Sequence, residues 1–247
     1  MSVPGIYDLA ELYAAQHAEF TDDIELYLRI VARFGAPVLE LGCGTGRVAS
    51  AIADAGYTVT GIDTSDTMLS VATERCRSSH ARFERADVRR FAYDELFSTI
   101  VFPFNSFCHL ATNDDVSACF ESVRRSLAPG GVFVIHVHVP DPTRLARESE
   151  ALFAVDSFEW HGKPVEVFES SRYCAATQLD DITWYFELDD ETISRSFTLR
   201  VFYPRELEAV CELNGFSIIE RYGDYDGTQF GPDARHQILV TRPNKAT

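Results

Sequence analysis

Three glycines and two carboxylates carry the first chemical signal. Gly42, Gly44 and Gly46 stand in Gly42-Cys43-Gly44-Thr45-Gly46, between the apolar run Val38-Leu39-Glu40-Leu41 and a helical pattern starting at Val48. Glycine admits backbone angles and close approaches that a side chain would block. Free N–H groups at a helix start suit an anion or the polar tail of a cofactor; a tight structural turn has the same composition. No Gly-Lys-Ser/Thr ends the loop, so it is not a phosphate-binding P-loop. Asp63 closes Gly61-Ile62-Asp63, seventeen residues beyond Gly46. A carboxylate there can accept both hydroxyl protons of a ribose, or it can simply open the loop before Ser65. Asp87 follows in Phe83-Glu84-Arg85-Ala86-Asp87-Val88. It can accept a proton from the exocyclic amine of a base, or balance Arg89. Each of the three features follows a successive strand-like run, at the edge where open α/β sheets bind ligands.

His136 and His138 lie two apart in an apolar run, so on a strand they share a face. Such a pair can begin a metal site. No third ligand is evident in the sequence, and no metal is expected; core or pocket histidines are the reading. The six cysteines form no Cys-x-x-Cys pair. Packed free thiols in a reducing cytoplasm are expected. Cys108 has no evident paired base, so it reads as a packing thiol.

The elements that must position these groups follow from periodicity. A helix is expected within Glu19 to Phe34, starting near Thr21 and ending at Gly35. Strands are expected at Val38 to Leu41, Tyr57 to Asp63, Ala81 to Arg85, Ile100 to Phe104 and Val132 to Val139. Helices fall between them at Val48 to Ala55, after Ser65-Asp66, and at Asp114 to Leu127. Alternating strand and helix units predict a mostly parallel sheet with helices on both faces. Asp141 to Val155 reads as polar and partly helical. Val165 to Tyr173, Ile182 to Leu188 and Ile193 to Phe202 alternate and are joined by polar turns, Asp189-Asp190 among them. They read as a small antiparallel meander over the main sheet. A helix from Arg205 to Leu213 and strands at Phe216 to Tyr222 and Gln237 to Thr241 complete the chain. The expected organisation is an N-terminal lid and helix over 1–36, a cofactor-binding α/β core over 37–140, an antiparallel substrate-side insertion over 141–202, and a closing helix and strands over 203–247.

Taken together, Glu40-Leu41-Gly42-Cys43-Gly44-Thr45-Gly46, Gly61-Ile62-Asp63, Ala86-Asp87-Val88 and Leu127-Ala128-Pro129-Gly130-Gly131 resemble class I S-adenosylmethionine-dependent methyltransferases. The resemblance covers roughly residues 5 to 140 and is nearest to small-molecule enzymes of the amino-sugar or glycine type. It implies a Rossmann-like α/β fold and S-adenosylmethionine as cofactor. Gly42, Gly44 and Gly46 would pass under the methionine part and Asp63 would hold the ribose hydroxyls. Thr64 and Met68 would flank the adenosine, and Asp87 would meet the adenine amine beside Val88. Tyr7 and Tyr13 resemble the family's lid, with Tyr7 on the cofactor and Tyr13 on the catalytic side. Six apart, they do not share a face of one helix.

Asn105-Ser106-Phe107-Cys108-His109 is similar to the acceptor-side segment of amino-sugar dimethylating enzymes, in which a histidine at the place of His109 is near the acceptor. An imidazole, with an ordinary pKa near 6.5, suits a general base; a loop histidine satisfied by backbone is the plain alternative. Trp184, Tyr185 and Phe186 would supply the opposite wall, with Tyr185 turned away from the other two. Arg200, Tyr203 and the segment from Tyr222 to Gly227, with Phe230 and Arg235, are further candidates for the cleft.

The charge bounds the partners. Acidic residues number 38 against 22 basic, a net charge of −16. Nucleic acids and anionic membrane surfaces are disfavoured, and the tetrapeptide of nucleobase-amine methyltransferases is missing. No apolar stretch is long enough to span a bilayer, and Met1 to Leu9 lacks the basic and apolar pattern of a secretory signal. The expected activity is methyl transfer to nitrogen or oxygen of a small molecule. A non-catalytic nucleoside-binding protein of the same fold and a protein methyltransferase are the alternatives. A nicotinamide-dependent oxidoreductase would carry G-x-G-x-x-G and would leave Asp87 without a role.

Overall fold

The computed structural model describes residues 5–149, 151–189 and 191–244. Residues 1–4 of the N-terminal segment and Asp190 of the expected Asp189-Asp190 turn lie outside the described residues. Along the chain, a 3-10 turn (Ile6–Asp8) leads to α1 (Ala10–Gln16) and α2 (Ile24–Phe34). Then come β1 (Val38–Leu41), α3 (Arg47–Asp54), β2 (Val59–Asp63), α4 (Asp66–Arg75), β3 (Ala81–Arg85) and β4 (Phe97–Phe102). A second 3-10 turn (Ser106–His109) precedes α5 (Asn113–Ser126) and β5 (Leu127–His138). The remainder is α6 (Pro142–Leu145), β6 (Phe153–Trp160), β7 (Lys163–Cys174), β8 (Leu179–Leu188), β9 (Glu191–Arg200), α7 (Pro204–Leu213), β10 (Phe216–Tyr222) and β11 (His236–Pro243).

Seven strands form one sheet in the order β10-β11-β5-β4-β1-β2-β3. The five from β3 to β5 run parallel, and β11 is antiparallel to both β5 and β10. All four residues of β1 are buried, as a strand covered by helices on both faces requires. Strand β5 shows how the two cores divide. Phe133, Ile135 and Val137 join one cluster with Phe102, Phe107, Phe120 and Phe216, while Val132 and Val134 join the other with Tyr27, Val31 and Val48. The chain order reverses between β1 and β4, and the glycine loop leaves β1 at this switch point, where open α/β sheets form their ligand crevice.

Local chemistry fixes the helix starts. Thr112 Oγ1 accepts Asp115 N–H while the Asp115 carboxylate accepts Thr112 N–H, a reciprocal cap for α5. Ser65 Oγ accepts Met68 N–H at the start of α4. Gly46 caps α3 at φ +77°, and a Cβ there would sit 2.9 Å from both Ala72 and Phe83, so no other residue fits.

The second sheet is antiparallel, ordered β6-β7-β8-β9. Its inward side chains Val165, Val167 and Phe186 pack with Ile6 and Leu12 of the N-terminal segment, with Tyr7, Tyr13 and Trp184 alongside. Trp184 and Phe186 therefore face the lid together, as alternation demands. Gly5 also pairs with Ser196 of β9 in a parallel bridge. Strand β6 corrects the sequence reading: of the polar stretch from Asp141 to Val155, only Pro142–Leu145 is helical, and Phe153 opens a strand. Most β6 side chains are exposed, so no apolar alternation marks it. It is an edge strand held by backbone pairing to β7. No helix among the described residues is long and apolar enough to cross a membrane.

Candidate active site

A cavity of about 590 Å³ opens at the C-terminal ends of β1, β2 and β4, roofed by the N-terminal segment and the antiparallel sheet. Gly42, Gly44, Asp63, Thr64, Asp87 and Val88 line one part of it. Asp63 accepts Gly44 N–H at Oδ2 and Ser65 N–H at Oδ1, each at 2.9 Å. Burial raises its pKa, and these N–H donors hold part of the rise back. Gly44 has φ +53°, and a Cβ there would meet no atom within 4 Å, so the loop turns open space toward the cavity. Asp87 is gripped by Arg89, whose Nη2 and Nε donate at 2.7 and 2.9 Å, and this holds its carboxyl down at about 2. Arg89 also donates to Asp115 at 2.8 Å.

A second hollow beneath the glycine loop is lined by Glu40, Gly42, Gly44, Gly46 and Arg47, with Tyr13 and His17 on its lid side. Glu40 was not singled out from the sequence, although a lone carboxylate inside an apolar strand was the available sign. It is buried, Oε2 has no hydrogen-bond partner among the described residues, and burial pushes its carboxyl up to about 8. Arg47 does not neutralise it, because both of its terminal nitrogens donate to Asp23, at 2.5 and 2.8 Å. An orphaned buried carboxylate oxygen below an open glycine turn fits a ligand that ends in an ammonium group. Met68 departs from the expectation of flanking the nucleoside. It is fully buried with Ala10, Ala14 and Val71 beneath Tyr7 and Tyr13, and is absent from the cavity wall.

The other part of the cavity is aromatic. The Tyr7 hydroxyl and His109 Nε2 share a hydrogen bond at 2.5 Å, its direction set by the histidine tautomer. Burial lifts the Tyr7 phenol well above its usual pKa and lowers His109 to about 4, so both groups are neutral near pH 7. Tyr7 and Tyr13 do converge, with ring centroids 6.0 Å apart. The spacing argument assumed one helix; instead the chain breaks at Leu9 (φ −101°, ψ 46°) between the 3-10 turn and α1. Tyr13 stacks on His17 at 4.2 Å, and burial raises its phenol to about 12.

Gln16, His17, Asp156, Glu169, Trp184 and Phe197 form the far wall. Gln16 Nε2 donates to Asp156 at 3.0 Å, and Trp184 Nε1 donates to Glu169 at 3.0 Å. Arg144 spans Glu169 and Asp180 at 3.0 and 2.6 Å. Asp156 belongs to β6, so the missed strand concealed it. Arg200 and Tyr203 do not reach the cavity. Arg200 pairs with Glu206 at 2.8 Å over the Phe202 ring, and Tyr203 is exposed at the start of α7. Tyr225 packs on His136, His236 and Phe20 and so backs the wall rather than lining it. Phe230 carries the Arg221 guanidinium, and Arg235 pairs with Asp224 at 2.9 Å. Burial raises the Cys108 thiol to about 12. Among the described residues no three His, Cys, Asp or Glu side chains are grouped to hold a metal ion.

Residues 38–131 match the family model described as a methyltransferase domain. The chain is 28% identical over 219 residues to YqeM of Bacillus subtilis (strain 168), which carries a methyltransferase name; the match spans 85% of this chain and 84% of that one. It is 30% identical over 135 residues to the dTDP-3-amino-3,6-dideoxy-alpha-D-glucopyranose N,N-dimethyltransferase of Streptomyces fradiae, about half of each chain at 52%. Its fold is that of the CcbJ methyltransferase from Streptomyces caelestis, with a TM-score of 0.82, 24% identity, and coverage of 97% and 96% of the two chains. With the glycine loop, Asp63 and Asp87 gathered on one cavity, residues 38–131 resemble a methyltransferase domain and the whole chain shares the fold of methyltransferases.

Proposed function

We propose that this enzyme methylates an amine nitrogen on a small, polar, hydroxylated acceptor, and that Tyr7 and His109 orient that nitrogen. The Tyr7–His109 contact carries the reading. With the bare Nε2 of His109 taking the Tyr7 proton in a hydrogen bond, the phenol oxygen is left with lone pairs for an N–H of the acceptor. An amine so held turns its own lone pair elsewhere, which is the alignment an in-line displacement needs. When bound, S-adenosylmethionine supplies an electrophilic methyl carbon on a sulfonium.

A general-base role fits less well. An alkylammonium, with an ordinary pKa of about 10.4, holds its proton more tightly than an imidazole of ordinary pKa near 6.5, and the cavity lowers His109 further. Positioning a neutral amine needs no such proton transfer. The far wall suits the same acceptor. Asp156 and Glu169 can accept from hydroxyl or amino groups, and Arg89, the one cation on the cavity wall among the described residues, is committed to Asp87 and Asp115. A carboxylate-bearing acceptor finds no free cation there. The relatives named for an amino sugar and, in Streptomyces, for the N-terminus of cypemycin both point to amine nitrogen.

On the cofactor side, Asp63 would hold the ribose hydroxyls, Asp87 and Val88 the adenine, Thr64 the nucleoside, and Glu40 the ammonium end, with Gly42, Gly44 and Gly46 giving backbone access. Segment 1–36 would serve as lid, 37–140 as cofactor core, 141–202 as acceptor wall and 203–247 as the closing part of the sheet. The setting would be a reducing cytoplasm, and the net charge of −16 supports a small acceptor over a nucleic acid. The test is label transfer from methyl-tritiated cofactor to three probes: a nucleotide-linked amino sugar, its hydroxy analogue and a tricarboxylate. Transfer to the amine alone is expected. Transfer to the tricarboxylate, or to the hydroxy sugar at an equal rate, would overturn the assignment to nitrogen.

A further inference from the structure

Phe104 and Asn105 adopt left-handed backbone angles in succession, φ +50° and +62°, although neither is glycine. Such angles are costly and persist only where the surroundings over-determine them. Here the surroundings are two histidines on β5. Phe104 N–H donates to His136 Nδ1 at 3.1 Å, and Asn105 N–H donates to the His136 carbonyl at 3.1 Å. His138 N–H and Nδ1–H both donate to Asn105 Oδ1, at 2.7 and 2.9 Å. The next residues, Ser106–His109, form the turn that brings His109 to Tyr7.

The donors fix the proton positions. A backbone N–H can only donate, so His136 Nδ1 is bare, with the Tyr27 hydroxyl as a second donor at 3.0 Å, and its proton sits on Nε2, facing His236 Nδ1 at 3.2 Å. The same rule applied to His138 N–H turns the Asn105 carbonyl oxygen toward His138, which leaves the His138 proton on Nδ1. The two histidines thus hold opposite neutral tautomers two residues apart. Asn105 lines the cavity, and its two Nδ2 hydrogens have no partner among the described residues.

We infer that His136 and His138 are positioning residues. They clamp the Phe104–Asn105 turn, set His109 against Tyr7, and make Asn105 present N–H donors, rather than its carbonyl, to the acceptor cavity. The acceptor then carries an oxygen lone pair, from a hydroxyl, ether or carbonyl, where it meets Asn105. This inference concerns the turn and holds whether nitrogen or oxygen is methylated.

The test uses the full-length, nitrogen-15-labelled protein and needs no acceptor. Long-range imidazole spectra should show His138 as the Nδ1–H tautomer and His136 as the Nε2–H tautomer, with His109 Nε2 shifted by the Tyr7 hydrogen bond. His138→Leu should abolish the His109 shift while calorimetric affinity for S-adenosylmethionine stays within threefold. His138→Asn, whose amide can replace the Nδ1–H donor, should restore the shift. Asn105→Asp should also keep it, since a carboxylate accepts both His138 donors. Reversed tautomers, an unchanged His109 signal in His138→Leu, or equal loss in the Leu and Asn variants would overturn the inference. Should His138→Leu fail to fold, the wild-type tautomers and the Asn105→Asp spectrum still decide.

Discussion

Glu40 and the Tyr7–His109 pair make opposite demands on protons. With its carboxyl pushed up to about 8, Glu40 carries a proton at pH 7 in the ligand-free protein. A ligand ammonium beside it would favour the carboxylate, so cofactor binding at pH 7 should release nearly one proton from Glu40. Calorimetry in buffers of different ionisation enthalpy should detect that release in the wild type and lose it in Glu40→Gln. His109 behaves otherwise. With its pKa lowered to about 4, it adds no titration between pH 5.5 and 8. The turnover profile should rise only with deprotonation of the acceptor amine. Tyr7→Phe and His109→Ala should each lower turnover by about 10- to 100-fold through lost orientation. The double variant should lose little more, because the two side chains act through one hydrogen bond. A 10⁴-fold loss in His109→Ala, with a new acidic limb in wild type near pH 6.5, would restore the general base.

At the scale of elements, the lid is tied down by few polar contacts. Thr67 Oγ1 donates to the Tyr7 carbonyl at 2.9 Å, and Ser65 Oγ does so at 3.4 Å. Losing the first should cost roughly 0.5–1.5 kcal/mol of closure. Thr67→Ala is therefore expected to release cofactor about two- to tenfold faster in stopped-flow displacement, with its chemical step unchanged. How much of this was legible differs by element. The glycine loop and Asp63 follow the buried apolar strands β1 and β2, and Asp87 follows the short edge strand β3, so the order of the three could be read from the alternation of strands and helices. Strand β6 could not, because most of its side chains are exposed and no apolar alternation marks it at the sheet edge. With it went Asp156. The Tyr7–Tyr13 meeting was hidden too, since the break at Leu9 has no glycine or proline to announce it. Arg200 was expected near the cleft from its place at the end of the meander; its partner Glu206 lies in the first turn of α7, a pairing that only the fold reveals.

Across the whole molecule the buried titratable groups set a pH optimum for stability. Burial lowers His138 to about 4 and holds His136 well below its ordinary value, and it lowers His17 and His236 as well. The unfolded chain protonates these rings below about 6.5 while the folded chain does not, so stability falls as pH drops from there. Glu40 works in the other direction. The folded protein retains a proton that the unfolded chain releases above about 4.5, so stability also falls as pH rises toward about 8. These rings outweigh the Glu40 carboxyl where the ranges overlap, which places the maximum near pH 6.5 for the ligand-free protein. Urea unfolding from pH 4 to 9 should show that maximum, and Glu40→Gln should flatten its alkaline side. The bridge between Gly5 and Ser196 adds a kinetic consequence. It joins the roof over the nucleoside to the edge of the sheet that walls the acceptor, so one hinge serves two doors. A product held on either side should then keep both shut, so departure of the spent nucleoside is expected to clock each cycle, read as a first-turnover burst in rapid-quench measurements.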